Sequence, residues 1–206
     1  MKSDIIRVST SGTGFSEALA LTEKTGTYCG LDTKQNLRLR LLAEEMIGLL
    51  RGSIANNFEA DYWVYQKEKK FELHLKANIN LTSAARKEII SVSSSGSNKA
   101  ARGFMGKIRE FIAVNLLSDE ARSDITDGFS YGLMYMGSPS SYPTYSSSYI
   151  WSLRQYATGV ADHRSDNAEA EEAYDELEKS IVANIADEIE VSIQGSVVEI
   201  IIYKQF

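Results

Sequence analysis

The sequence predicts an α+β protein, a two-layer sandwich in which a mixed or antiparallel sheet is covered on one face by helices. Three observations carry that expectation. Two pairs of β-patterned runs are each joined by a short turn, one pair within residues 60–77 and the other within residues 188–204. In the run from Leu37 to Gly52 the apolar residues recur at spacings of three and four. The order helix, helix, hairpin, long insertion, helix, hairpin then groups like elements instead of alternating them.

Ile5 to Ser9 reads as a short strand, followed by a Ser/Gly turn and a helix capped by Ser16 that runs to about Thr25, with Gly26 and Gly30 ending it. A second helix begins after Asp32 or Thr33, puts Leu39, Leu42, Met46, Leu49 and Leu50 on one face, and stops at Gly52. Ala60 to Gln66 and Phe71 to Ala77 form a hairpin around the charged turn KEKK. In its second strand Phe71, Leu73, Leu75 and Ala77 share one face. Glu72, His74 and Lys76 share the other, so His74 is expected in solvent and not in catalysis.

A helix is expected near Thr82 to Ser91, then a loop SVSSSGSN, then an amphipathic helix carrying Phe104, Ile108, Phe111, Ile112 and Leu116. Gly103 and Gly106 lie early in that helix, each at a cost of about 1 kcal/mol relative to Ala, which points to close packing or to movement. Thr126 to Tyr149 is rich in Tyr, Ser and Gly and holds both prolines, Pro139 and Pro143. Its tyrosines either stack on a ligand or partner or pin the loop to its own domain. A helix near Ile150 to Ala157, an acidic segment, a helix from Ala168 to Ala186 and a hairpin around Gln194-Gly195 complete the chain.

With 206 residues, 43% of them hydrophobic and 24% charged, the chain is sized for one domain over residues 1–206 with an insertion at about 79–170. Cys29 has no partner cysteine, and with only His74 and His163 beside it neither a disulfide nor a structural zinc is expected. The N-terminus lacks the apolar core of a secretory signal and no run reaches the roughly 20 apolar residues of a membrane span, so the expected location is the cytoplasm. A net charge of -6 argues against nucleic acid as a partner. The charge is uneven. Eleven acids between Asp162 and Glu190 face only Arg164 and Lys179, whereas Arg86, Lys87, Lys99, Arg102, Lys107 and Arg109 outnumber Glu88 and Glu110. Two solvated helix faces explain this, as does a basic surface for an anion or an acidic partner.

Catalytic signatures fail one by one. GFMGKI puts Ile108 after Lys107 and Ala101 five positions before Gly106, so it is not a phosphate-binding P-loop. CxxC, HExxH and acidic calcium loops do not occur. SSSGSNKAARG is the best anion cradle that remains, with Ser95, Lys99 and Arg102 leading into a helix.

The order FSEALALTEKTGTYCGLDTKQNLRLRLLAEEMIGLLRG, a hairpin, and LEKSIVANIADEIEVSIQGSVVEIIIYK resembles the core of the anti-sigma-factor serine kinases, in the histidine-kinase-like (GHKL) ATPase superfamily. The resemblance covers about residues 5–78 and 170–206 and implies the histidine-kinase-like fold, with the long insertion in place of the ATP lid. It also implies an N box of Glu and Asn for magnesium, a DxGxG turn for adenine and a GxG loop for phosphates. Here Glu44 matches the Glu, with Glu45 as the other register, but Gly48 or Leu49 stands where the Asn belongs. Ala77, followed by Asn78 and Ile79, stands at the adenine-reading Asp, and Glu176, Leu177 and Glu178 stand at the GxG. The resemblance thus implies a regulatory protein-binding module on a degenerate ATPase fold, without a cofactor. Its partner would be a sigma factor, an antagonist or another regulator, and a homodimer would be possible. Two alternatives remain: an ATP- and magnesium-dependent serine kinase or ATPase with a phosphate site rebuilt from Ser95, Lys99 and Arg102, in which Glu44 activates a water; and a small-ligand sensor.

Overall fold

The computed structural model describes residues 1–50, 58–94, 103–117, 148–165 and 167–206. Its strands are β1 (Ile6–Ser9), β2 (Glu59–Lys67), β3 (Lys70–Asn78), β4 (Ser148–Ser152), β5 (Glu188–Gln194) and β6 (Val197–Gln205). Its helices are α1 (Phe15–Tyr28), α2 (Thr33–Gly48), α3 (Ser83–Ser94), α4 (Phe104–Asn115), α5 (Leu153–His163), α6 (Ala168–Lys179) and α7 (Ile181–Ile185). The six strands make one open sheet in the order β1-β2-β3-β6-β5-β4. Every neighbouring pair runs antiparallel, so the mixed alternative drops out.

Both hairpins form where the alternation put them. β2 and β3 turn through Glu68, a non-glycine at φ 58, and β5 and β6 turn at Gly195, whose φ of 60 suits glycine in a tight hairpin. β3 and β6 pair along their whole length, from Lys70↔Gln205 to Asn78↔Val197. One face of the sheet is thereby continuous and apolar: Tyr62 and Val64, then Leu73 and Leu75, then Ile200 and Ile202, then Val191, all buried. The other face is partly exposed, but His74 is not in solvent as expected. Its side chain is 12% exposed, because the ring stacks on Trp63 at 4.7 Å and lies 3.2 Å from Glu72 and 3.4 Å from Glu199. Strand alternation assigns a face and says nothing of cross-strand cover.

α1 and α2 follow the expected order with corrected ends. Ser16 does not cap α1. Gly14 does, at φ 77, and a Cβ there would lie 2.1 Å from the Arg7 carbonyl oxygen. Gly26 does not end the helix either. It is buried inside α1, where α2 approaches so closely that a Cβ would lie 2.3 Å from Asn36 Oδ1. α2 starts at a capping box, Asp32 accepting from the Gln35 amide at 2.8 Å and Gln35 accepting from the Asp32 amide at 3.1 Å. Leu39, Leu42, Met46, Leu49 and Leu50 are all buried, as their spacing required. α2 ends at Gly48, ahead of the expected stop at Gly52, which lies outside the described residues.

Three further boundaries differ from expectation. Helix α3 continues to Ser94, into the stretch read as loop. Ser148 to Ser152 form a strand, where Ser148 and Tyr149 were expected in the loop and Ile150 to Ser152 in a helix, since β4 pairs with β5 and buries Trp151; residues 126–147 of the Tyr/Ser-rich stretch lie outside the described residues. The last long helix is broken at Ser180, which takes extended backbone angles and accepts from the Ala183 amide to start α7. The insertion is no appendage: Phe104, Ile108, Trp151, Tyr156 and Val160 belong to the same buried core as Leu42 and Leu73.

Two predictions follow from this packing. Gly26→Ala gains about 1 kcal/mol of helix propensity but must displace Asn36, whose amide nitrogen donates to the Glu23 carbonyl at 3.1 Å and to Thr27 Oγ1 at 2.9 Å. Losing those bonds costs about 1–3 kcal/mol, so urea unfolding should show net destabilisation; a stabilised variant would contradict the close approach. The second concerns pH. Tyr62 is fully buried and its hydroxyl lies 2.6 Å from Thr22 Oγ1, which itself donates to the Ala18 carbonyl, leaving Tyr62 as donor. Burial pushes the Tyr62 and Tyr156 phenols up from their ordinary value. Their neutral forms therefore stabilise the fold fully below about pH 10, and the stability is lost as pH rises and the unfolded chain ionises first. Unfolding free energy should begin to fall at about pH 9.5 and keep falling above about pH 10, and Tyr62→Phe should fall less steeply; parallel losses would exclude Tyr62 as a source.

Candidate functional site

The sheet's apolar face is not completely filled. Between the ends of β3 and β6 and the helix α4 lies a cavity of about 60 Å³. Its floor is Leu75 and Ala77 of β3 with Val198 and Ile200 of β6, and one side is closed by Leu49 and Leu50, just beyond α2. Ile79, Leu81 and Phe58 line another part. The roof is α4, which contributes Ile112, Ala113, Leu116 and one charged residue, Arg109.

Helix α4 is held in that position from its opposite side. Gly103 adopts φ 77 at its start, and its amide donates to Glu176 Oε1 of α6 at 3.0 Å. Phe104 packs on Trp151 of β4 and Tyr156 of α5, with ring centroids 5.9 and 6.1 Å away, and those two rings are 5.9 Å apart. Phe104, Ile108 and Phe111 are buried on this aromatic side, four and three residues apart. Residues 109, 112, 113 and 116 consequently face the cavity. Burial first, and the nearby Glu176 carboxylate second, push the Tyr156 phenol upward, so it stays a neutral hydroxyl within the aromatic cluster.

Arg109 is the electrostatic feature of the cavity. Its side chain is half-buried, and its Nε is buried without a hydrogen-bond partner among the described residues. A buried guanidinium nitrogen left unpaired is unfavourable and is usually met by an acceptor.

The residues singled out by sequence fall in different places. Glu44 and Glu45 are both exposed on α2, and neither lines the cavity. Gly48 is half-buried and also outside the lining, whereas Leu49 is in it. Ala77 is part of the floor, an apolar wall where the resemblance implies a carboxylate. Asn78 is exposed at the end of β3, paired with Val197. Ser95, Lys99 and Arg102 lie outside the described residues. Glu176 anchors α4, and Leu177 packs against the core. No group of three or more His, Cys, Asp or Glu able to hold a metal ion occurs among the described residues.

Sequence reasoning counted Arg109 only as part of a basic segment. The signal was present in the spacing. Met105, Arg109, Ile112 and Leu116 form a second stripe on α4, beside the Phe104 stripe, and one cation within an otherwise apolar stripe marks a group facing inward. Trp151 gave no such signal, since part of its cover, Phe104, comes from a helix far away in sequence.

Comparison with protein-family models, curated proteins and solved structures finds no match to this chain. No helix among the described residues is long and apolar enough to cross a membrane.

The site's supports can be separated by substitution. Glu44→Ala and Glu45→Ala remove exposed carboxylates and should each change stability by less than about 0.5 kcal/mol. Glu176→Ala strands the Gly103 amide and should cost about 1–3 kcal/mol, while Glu176→Gln, which keeps an acceptor, should recover most of it. Equal losses in the two Glu176 variants would mean that this hydrogen bond does not hold α4.

Proposed function

We propose that this chain is a regulatory protein-binding module on a degenerate histidine-kinase-like ATPase fold, acting in the cytoplasm without hydrolysing ATP. The order strand, two helices, hairpin, insertion, short helix, hairpin supports the fold reading, since it is the order on which the resemblance rests. The observation that carries the functional reading is the lining of the cavity. Ala77 stands where the resemblance asks for an adenine acceptor, under α4; at the magnesium-ligand position stands Gly48, which lies outside the lining, or in the Glu45 register Leu49, which is part of it. At the third point Glu176 is committed to the Gly103 amide. A triphosphate placed here would meet carbon walls and a single guanidinium, which leaves most of its charge unneutralised.

With the nucleotide role gone, the surface that remains for regulation is the helical pair. Tyr28 at the end of α1 is 79% exposed and Leu37 of α2 is 54% exposed, large apolar side chains that contribute little to this core and suit contact with a protein partner.

Thermal unfolding with and without millimolar ATP and magnesium tests the reading. Ligand at about 100 times its dissociation constant stabilises by about 2.7 kcal/mol, a shift of several degrees for a nucleotide-binding protein. No shift is expected here. A magnesium-dependent rise, or ATP hydrolysis abolished by Glu44→Ala, would favour the kinase or ATPase reading instead. The second arm is a partner co-purified from the native cell. Tyr28→Glu with Leu37→Glu should release it while leaving the unfolding midpoint unchanged, and retention by that variant would place the partner surface elsewhere.

A further inference from the structure

Among the described lining residues of the cavity under α4 the side chains are apolar except for one cation, Arg109, whose Nε lacks a hydrogen-bond partner among the described residues, and that combination specifies a ligand. We infer that it binds a short-chain aliphatic carboxylate, the tail between Ala77, Leu49 and Ile112 and the carboxylate on Arg109. This goes beyond the protein-binding reading and does not depend on it, because it rests on the cavity alone.

Three features select this class. The first is charge. One guanidinium matches one negative charge, and no other charged side chain is among the described lining residues. A carboxylate accepts side-on from Nε–H and a terminal N–H of arginine, which supplies the partner that the buried Arg109 Nε lacks. A phosphate ester would bring a second charge with nothing to meet it. The second is the wall. Carbon surfaces favour an aliphatic tail and offer no hydrogen bond to a sugar or an amino acid's ammonium group. The third is size. The volume of about 60 Å³ is under half of the about 150 Å³ that accommodates a benzene ring. A tail of about two to four carbons fits that space, as in propionate, butyrate or valerate.

The position of the cavity makes occupancy consequential. Its roof is the α4 face that carries Arg109, while α4 is held through Phe104 by Trp151 and Tyr156 and at its start by Glu176. A bound carboxylate would tie α4 to the sheet on the side where no hydrogen bond holds Arg109.

The test is binding to the full-length protein by methyl NMR and thermal unfolding, with a series from acetate to octanoate and the matched primary amides as probes. Affinity should rise about fourfold per methylene from acetate to butyrate or valerate and then level off. The amides should bind at least tenfold more weakly, and the shifted methyls should be those of Leu49, Ile112 and Leu116. Arg109→Met keeps the length and packing of the side chain and should abolish the preference for carboxylate over amide. Ala113→Leu fills the cavity and should abolish binding of both, and the unliganded unfolding transition reports whether each variant is folded. The inference is overturned if carboxylates and amides bind alike, if Arg109→Met binds as the wild type does, if the shifted methyls lie elsewhere, or if no carboxylate binds the wild type. Such a failure would leave the ATP and partner tests untouched.

Discussion

The pairing of β3 with β6 is the contact on which the rest of the structure depends. It joins residues 70–78 to residues 197–205 over nine consecutive pairs, closing a loop of more than a hundred residues that contains α3, α4, β4, α5, α6, α7 and β5. Closing a long loop costs entropy that grows only slowly with length, so the insertion adds little to a cost already incurred. What the closure returns is a broad apolar face. Leu73, Leu75, Ile200 and Ile202 become neighbours at the centre of the sheet, flanked by Tyr62 and Val64 on one side and Val191 on the other.

That face has to be covered, and the covering elements come from both halves of the chain. α1 and α2 cover one part through Leu39, Leu42 and Met46, and the insertion covers the remainder through α4, with α5 against the β4 edge. Burying each large apolar side chain is worth about 1.5–3 kcal/mol, so a lid that merely rested on the sheet would forgo a large stabilisation. The insertion is instead bound into the core by Phe104, Trp151 and Tyr156. The cavity is the residue of this arrangement. α4 is drawn towards the aromatic cluster on one side, and on the other it bears Arg109, which cannot fill carbon-lined space as a leucine would.

How much of this was legible depended on whether a residue's environment is set by its own segment. The two hairpins and the buried face of α2 were readable, because alternation and three-four spacing already specify which side chains turn inward. His74 was assigned the right face and the wrong exposure, since Trp63, Glu72 and Glu199 cover it and the first and last of these lie on other strands. Gly26 looked like a stop signal because helices commonly end at glycine. Its real reason is the nearness of Asn36, a contact between helices that no local pattern displays. β4 was missed because a five-residue strand at a sheet edge follows a long Tyr/Ser run and leads directly into a helix capped by Ser152. The site was legible in outline only: the replaced residues at 49 and 77 could be read as a loss of polarity, but the cation above them belongs to the insertion, where the resemblance offered no guide.

The proposed loss of a nucleotide site and the inferred carboxylate site are therefore separable. On the proposed reading, apolar residues in place of ligating groups would remove the reason for a polyphosphate to enter; Leu49 and Ala77 themselves present a surface that water wets poorly. If evolution had only discarded a site, the cheapest outcome would be to fill the space with side chains, since each missing contact in a core is a net loss. Arg109 works against that outcome. A leucine at position 109 would bury well, whereas the guanidinium leaves a buried donor unpaired. A cation beside carbon-lined space, on a helix whose start is anchored by Glu176, is the arrangement that the inferred carboxylate site requires to discriminate a charged head from a neutral one.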